Sequence, residues 1–164
     1  MRIIQIAGYK NSGKTTLVGD LIRYFSKKGL KTAALKHHGH GGTPAVTERT
    51  DSAKFAEAGA LMSGVEGAGV LQLTVSRTEW TIDQLLQFYR LMHFDLLMIE
   101  GYKTLDFNKI VLIRSLHDVH LLEQLSNIIA IVTSVQLDAK NMSYPVFRES
   151  EPLCAWLSDH VLML

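Results

Sequence analysis

The sequence has few of the features that mark a secreted, membrane-bound or polyanion-binding protein. Its single cysteine, Cys154, excludes an intrachain disulfide and favours a reducing compartment. No stretch of about 18 uncharged apolar residues occurs, and the N-terminal apolar run is too short for a signal peptide. The formal net charge of +1 argues against a general affinity for nucleic acid or an anionic membrane. We therefore expect a cytoplasmic protein that binds neither.

The charges are unevenly distributed along the chain. Residues 1–41 contain eight basic residues and one acid, and the rest of the chain is acidic overall. A positive segment on an otherwise acidic chain predicts a local binding site for an anion.

Strand and helix patterns alternate along the chain, which favours an α/β fold with a mostly parallel sheet flanked by helices. With 164 residues, 47% of them hydrophobic, we expect one domain over residues 1–164. Residues 60–65 and 70–75 flank a glycine-rich turn and predict an added β-hairpin. Other strands are expected at 2–7, 31–36, 95–101, 109–113, 128–133 and 144–147, and helices at 15–28, 51–58, 81–92 and 152–162.

A phosphate-binding motif follows the first predicted strand. Residues 8–15 fit G-x-x-x-x-G-K-[ST] and stand between a buried strand and a helix, as this motif requires. Glycines let such a loop wrap its N–H groups closely around phosphate oxygens. The motif predicts a P-loop NTPase-like fold in which Lys14 reaches the β- and γ-phosphates, Thr15 binds Mg²⁺ and Thr16 contacts the α-phosphate. The candidate nucleotide-binding residues here are Gly8, Tyr9, Lys10, Asn11, Ser12, Gly13, Lys14, Thr15 and Thr16.

A second acid is expected near the phosphates, at the end of a neighbouring strand. Glu100 ends the most apolar strand and precedes Gly101, which would let the chain turn close to the γ-phosphate. It is the first candidate for a catalytic and metal-binding acid, although a nearby helix N-terminus could satisfy it instead. Asp51 is a weaker candidate, either in the metal shell, orienting water, or as a plain helix cap.

Lys36, His37, His38 and His40 follow the second predicted strand, on the edge where ligands of open α/β sheets collect. Three histidines within four residues can bind a transition metal, contact the phosphate of a nucleotide or pterin, or remain solvated. The residues leave these alternatives open.

Two features of a fast, guanine-specific GTPase are missing. Nothing singles out Arg49, Arg77 or Arg114 as an arginine finger, so we expect slow intrinsic turnover. The guanine-reading pattern [N/T]-K-x-D is absent, and residues 133–134 are only its positional counterpart. Sequence chemistry alone does not separate GTP from ATP.

Six motifs together carry a family resemblance that covers nearly the whole chain. They are the phosphate loop, Leu35-Lys36-His37, Asp51-Ser52, Glu57-Ala58-Gly59-Ala60, Glu100-Gly101-Tyr102-Lys103 and Lys109-Ile110. In these motifs the chain resembles the MobB family of molybdopterin-guanine dinucleotide biosynthesis proteins. The resemblance implies a homodimeric GTP-binding adapter with weak GTPase activity that assists MobA, the nucleotidyltransferase that attaches GMP to molybdopterin. It further implies Mg²⁺ near Thr15 and Glu100.

The resemblance places Lys36, His37, Asp51, Gly101 and Lys103 around the nucleotide. Two other functions remain as alternatives. One is a P-loop small-molecule kinase, although no arginine-rich lid segment is found. The other is a nickel metallochaperone GTPase that would use the three histidines described above.

Overall fold

The computed structural model describes residues 1–37, 51–137 and 142–163. The chain divides into two compact units, Met1–Gly39 with Tyr89–Leu164 and His40–Phe88. In chain order the elements are β1 (Arg2–Ala7), α1 (Lys14–Lys27), β2 (Thr32–Lys36), α2 (Asp51–Glu57), β3 (Met62–Gly67), β4 (Val70–Val75), α3 (Ile82–Leu91), β5 (Leu96–Glu100), β6 (Lys109–Ile113), a 3₁₀-helix (Leu116–His120), α4 (Leu121–Gln124), β7 (Ile128–Thr133), β8 (Val146–Phe147) and α5 (Ser150–Leu157), followed by a π-helical turn (Ser158–Leu162).

Six parallel strands form the sheet of the first unit, in the order β2-β5-β1-β6-β7-β8. In the register, Glu100 lies beside Ile6 of β1 on one side and beside Lys36 of β2 on the other. The loops that follow these three strands therefore open on the same edge of the sheet. This confirms the predicted parallel sheet flanked by helices, and it brings the predicted phosphate loop next to the end of β5.

Side chains of the strands alternate between two apolar clusters, one on each face of the sheet. On one face, strand residues such as Ile4, Ile6 and Leu112 pack with Leu21 and Phe25 of α1. On the other face a smaller cluster contains Val111, Ile113, Leu121, Ile128 and Ile131. Because both faces are covered, the strand ends that carry the site are held on a closely packed base.

Gln5 of β1 is a polar residue inside an otherwise apolar strand, and its side chain is fully buried. The register places it beside Lys109 of β6, whose side chain is fully buried as well. The Gln5 Nε2 donates hydrogen bonds to the carbonyl oxygens of Gly101, at 2.8 Å, and Tyr102. Gln5 therefore holds the start of the connection that leads from β5 to β6.

Lys109 holds the later part of the same connection. Its Nζ donates to the carbonyl oxygens of Leu105 and Phe107. Burial lowers the pKa of the Lys109 ammonium, and the nearby Asp106 carboxylate opposes this shift. The described residues between β5 and β6 contain no helix, so these two buried polar side chains organise a backbone that has no helical hydrogen bonds of its own.

In the second unit, β3 and β4 form the predicted antiparallel hairpin. The turn is shorter than the expected residues 66–69, because Ala68 and Gly69 both take positive φ angles, 51° and 79°. Two consecutive residues with positive φ make the compact turn that matches strand twist. β3 therefore continues to Gly67.

Among the described residues, no helix is both long and apolar enough to cross a membrane. Cys154 lies on the buried face of α5, within the apolar core. Burial, with smaller contributions from Asp20 and Glu151, raises the pKa of its thiol to about 11, so this cysteine is held as an unreactive neutral thiol.

Candidate functional site

The predicted phosphate loop joins β1 directly to the first turn of α1. Gly13 adopts the left-handed conformation, with φ of 90°, and α1 begins at the next residue. Gly8 has φ of 155°, and a Cβ there would lie 2.7 Å from the Ser12 Oγ and 3.2 Å from the Leu112 carbonyl oxygen. The loop folds too tightly over the end of the sheet to accept a side chain at Gly8.

Lys14, the first residue of α1, carries its positive charge back over the loop. Its Nζ donates a hydrogen bond to the Tyr9 carbonyl oxygen. Burial is the largest cause that lowers the pKa of Lys14, the charges of Lys103 and Lys36 lower it further, and Glu100 raises it. Three lysines thus converge near one carboxylate, and an anion bound here would reduce their mutual repulsion.

Thr15 and Glu100 meet at the edge of the sheet, as predicted. The Thr15 hydroxyl donates to the Glu100 Oε2 at 2.9 Å. The Lys36 ammonium lies 3.1 Å from both the Thr15 Oγ1 and the Glu100 Oε1. The Glu100 side chain is 10% exposed, whereas that of Lys36 is 59% exposed. Two neighbouring oxygens therefore already hold a cation, the lysine ammonium.

The same two oxygens suit magnesium, because Mg²⁺ prefers hard oxygen ligands and usually takes only one or two from the protein. Within the described ranges, no group of three or more His, Cys, Asp or Glu side chains could hold a metal ion. A magnesium ion near Thr15 and Glu100 would therefore draw its other ligands from phosphate and water.

His37, Gly101 and Tyr102 pack together just beyond the ends of β2 and β5. Gly101 has φ of 92°, and a Cβ there would lie 3.2 Å from the His37 Cβ. The ring centroids of His37 and Tyr102 are 4.2 Å apart. The predicted residues His37 and Gly101 are thus next to Glu100, while His38 and His40 lie outside the described residues.

Tyr9 links the phosphate loop to two other segments. The Lys103 Nζ lies 4.2 Å from the centroid of the Tyr9 ring, a cation–π contact. The Tyr9 hydroxyl and the His120 Nε2 are 2.5 Å apart. Lys103, which the family resemblance places at the site, is therefore held beside the loop by the Tyr9 ring.

The other predicted residues contribute differently. Lys10, Asn11 and Thr16 are exposed on the loop and the first turn of α1. Their roles toward a nucleotide stay predictions. Asp51 begins α2 in the second unit, where its carboxylate pairs with the Lys54 ammonium at 2.8 Å and its side chain is 87% exposed. Its assignment to the site also stays a prediction.

Three residues that shape the site have no role assigned to them by the sequence patterns. Gln5 and Lys109 hold the connection that carries Gly101 and Tyr102. The Arg114 Nε donates to the Ser12 carbonyl oxygen of the phosphate loop at 2.6 Å. A signal existed for the first two, since an isolated polar residue within an apolar strand requires a buried partner.

Comparisons with known proteins point to one family. The MobB family model, described as molybdopterin guanine dinucleotide synthesis protein B, matches residues 3–134. The chain is 37% identical over 152 residues to the probable molybdopterin-guanine dinucleotide biosynthesis adapter protein of Bacillus subtilis. The aligned residues cover 92% of this chain and 87% of that protein. It is 28% identical over 139 residues to the molybdopterin-guanine dinucleotide biosynthesis adapter protein of Haemophilus influenzae. Here the aligned residues cover 83% of this chain and 76% of that protein.

Solved structures agree with these sequence relatives. The crystal structure of a MobB protein homolog from Bacillus stearothermophilus superposes with a TM-score of 0.80 at 32% identity and covers 100% of both chains. That of Bacillus subtilis MobB has a TM-score of 0.79 at 38% identity and covers 99% of this chain and 97% of its own.

Proposed function

The chain belongs to the MobB family, and from this membership and the geometry of the phosphate loop we propose that it is a GTP-binding adapter protein. It acts in molybdenum cofactor biosynthesis, at the conversion of molybdopterin to molybdopterin guanine dinucleotide, and in the cytoplasm. Its partners are GTP with Mg²⁺ and either molybdopterin or the nucleotidyltransferase MobA. The single observation that carries nucleotide binding is the contact between Thr15 and Glu100, 2.9 Å long, beside Lys14 at the start of α1.

The proposed roles follow from the chemistry of each group. The loop N–H groups and the N-terminus of α1 bind phosphate oxygens, and Lys14 neutralises the β- and γ-phosphates. Thr15 and Glu100 hold Mg²⁺, which when bound offsets the negative charge of the phosphates. Lys36 competes with that ion, because its ammonium contacts the same two oxygens. Displaced from them, it remains a cation beside the polyphosphate.

Hydrolysis is proposed to be slow. The loop positions phosphates well, yet fast phosphoryl transfer also requires a group that orients water and a cation that stabilises the transition state. Glu100 and Asp51 are the proposed acids for this work, and Glu100 is already tied to Thr15 and Lys36. Such a protein suits a nucleotide-dependent conformational role better than rapid turnover.

The substitution Glu100→Gln tests the magnesium site and nucleotide choice together. We expect wild-type protein to bind GTP with Mg²⁺ more tightly than ATP, as measured by competition against a fluorescent GTP analogue. In Glu100→Gln, the affinity for GTP with Mg²⁺ should fall about tenfold, because an uncharged amide is a poorer magnesium ligand. Affinity measured in EDTA should change less than about twofold.

The exposed Glu123 on α4 supplies the matched control, since Glu123→Gln makes the same chemical change at a side chain that forms no hydrogen bond or ion pair with the described residues of the loop. It should leave both affinities unaltered. An equal loss with and without Mg²⁺ in Glu100→Gln would assign Glu100 a purely structural role. Equal affinity of the wild type for ATP and GTP would contradict the GTP assignment.

The homodimer is proposed to form through one face of the hairpin. The register places Met62, Leu71 and Leu73 on the same face, and their exposed fractions are 54%, 58% and 42%. A two-stranded sheet is marginally stable alone, and contiguous exposed apolar side chains mark protein contacts. A second copy of the chain offers the same face, as a twofold contact requires.

The oligomeric state can be measured by sedimentation equilibrium. Wild-type protein should give twice the chain mass of 18.3 kDa. Met62→Lys should give the single-chain mass at micromolar concentration, because position 62 pairs with Val75 across the hairpin and the new ammonium would be buried with no acid opposite it. Val70→Lys places the same charge on the opposite face of the hairpin and should stay dimeric. Dissociation by both variants, or by neither, argues against this face.

A further inference from the structure

The segment that follows β6, residues 114–120, contacts the phosphate loop at two points. The Arg114 Nε donates to the Ser12 carbonyl oxygen at 2.6 Å. At the other side of the loop, the Tyr9 hydroxyl contacts the His120 Nε2. The His120 Nδ1 contacts the His117 carbonyl oxygen, which can only accept, so the Nδ1 carries a proton, and in the neutral ring the Nε2 accepts from the Tyr9 hydroxyl. One short segment therefore holds the loop near its beginning and near its end.

Asp118 gives this segment its conformation. Its carboxylate accepts hydrogen bonds from the backbone N–H of Arg114 at 2.7 Å, the backbone N–H of Ser115 at 3.0 Å and the Ser115 hydroxyl at 2.9 Å. Burial on its own raises the pKa of Asp118, but these hydrogen bonds, together with a smaller charge contribution from His120, outweigh it and hold the pKa below its usual value. The carboxylate is thus ionised at neutral pH and keeps the backbone of Arg114 in one orientation.

The Arg114 guanidinium lies against the last residue of the loop. A Cβ built on Gly13 would be 2.6 Å from the Arg114 Nη2. A side chain at residue 13 would therefore displace the arginine head, in addition to the backbone strain set by the φ of 90°. It also places a permanent positive charge next to the N-terminus of α1.

The hydrogen bond to Ser12 has a consequence for the peptide bond between Ser12 and Gly13. In a planar trans peptide the C=O and the following N–H point in opposite directions, and the described residues contain no cis peptide bond. Because Arg114 holds the Ser12 carbonyl, the Gly13 N–H points away from the arginine. A phosphate-binding loop needs its N–H groups turned inward and its carbonyl groups turned outward.

We propose that Arg114 is a positioning residue for nucleotide binding: it holds the Ser12 carbonyl outward, so that the Gly13 N–H faces the phosphates. Residues 115–120 keep Arg114 in place through Asp118 and hold Tyr9 through His120. The inference rests on the proposed nucleotide site, but it does not depend on which base is bound. Since Arg114 acts on the loop, it contributes equally to binding of nucleoside di- and triphosphates, with or without Mg²⁺.

The test compares Arg114→Ala and Arg114→Lys by titration calorimetry with GDP, GTP and ADP, each with Mg²⁺ and in EDTA. Arg114→Ala should weaken every nucleotide that the wild type binds by about tenfold, the loss expected for a hydrogen bond to a charged group. Arg114→Lys keeps the charge without the planar Nε donor, so it should recover only part of the affinity. Arg148→Ala, at an exposed arginine distant in sequence, is the matched control.

Two further measurements separate positioning from a general structural role. Added methylguanidinium should restore affinity to Arg114→Ala, because it can occupy the vacated place beside Ser12. In ¹⁵N spectra, the shift of the Gly13 amide on GDP binding should shrink in Arg114→Ala more than that of other loop amides. A loss confined to GTP would instead make Arg114 a γ-phosphate ligand, and unchanged affinity in Arg114→Ala would remove it from the site. Either result overturns the proposal.

These measurements test the preference for guanine and the role of Arg114 independently of each other. If ADP and GDP bind equally well and both weaken in Arg114→Ala, the GTP assignment is wrong and the role of Arg114 stands. If the wild type binds GTP selectively and Arg114→Ala binds GTP with the same affinity as the wild type, the proposed function stands and this inference falls. If the wild type binds no nucleotide, both are wrong.

Discussion

Replacing Lys14 with alanine should lower the affinity for GTP by at least about 100-fold, because in the proposed complex the ammonium would make charge-assisted contacts with two phosphates, each contributing about 1.5–3 kcal/mol. The fold should survive. Lys14 is the first residue of α1, its ammonium contacts the Tyr9 carbonyl oxygen, and alanine is a better helix former. Calorimetric titration with GTP measures the loss, and thermal melting should shift by less than about 2 °C.

Lys27→Ala is the matched control for this substitution. Lys27 ends the same helix, α1, and is exposed there. It carries the same charge, so its removal changes the net charge equally without changing the loop. We expect GTP affinity within about twofold of wild type. Near-normal affinity in Lys14→Ala, or an equal loss in both variants, would show that residues 8–15 do not bind the nucleotide.

The substitution Gly8→Ala should both destabilise the protein and abolish tight nucleotide binding. The positive φ at this position costs a non-glycine residue about 1–3 kcal/mol. The added Cβ would also lie 2.7 Å from the Ser12 Oγ and 3.2 Å from a backbone oxygen of β6, and such overpacking costs about 1–3 kcal/mol more. We expect a total near 4 kcal/mol, and thus a melting temperature lower by about 8–16 °C.

Gly29→Ala separates backbone strain from the clash. Gly29 also has positive φ, 86°, but a Cβ there meets no atom within 4 Å. It follows α1, at the opposite end from the phosphate loop. This variant should lose only about 1–2 kcal/mol and bind GTP normally. If both variants lose the same stability and both bind GTP, the loop tolerates a side chain at Gly8 and the close packing around it has no functional consequence.

Much of the fold could be predicted because its signals are local. The apolar β-branched run of β1 and the helical spacing of Leu17, Leu21 and Phe25 each act within a few residues. The same holds for the hairpin, whose alternation placed Leu71 and Leu73 on one face. The 3₁₀-helix and α4 were missed, because they are short and depend on the side-chain contacts of Asp118 more than on periodicity.

The site residues that could be predicted are likewise those whose signals are local in the sequence. The phosphate loop was predictable, since its glycines, Lys14 and Thr15 are close in sequence and their spacing has a direct chemical reason. Glu100 was predictable from its position at the end of an apolar strand, because parallel strands share one functional edge. Its contact with Thr15 and the competing ammonium of Lys36 agree with that prediction.

The sequence by itself determined the phosphate loop, the parallel sheet that carries it and the acid at its edge, because each has a signal formed by residues that are close together in the sequence. Only the tertiary structure decided which of several unremarkable polar residues support that loop. Arg114 is 102 residues from Ser12, and Gln5 is 96 residues from Gly101. Contacts at such separations depend on strand order and register, and no local pattern contains that information.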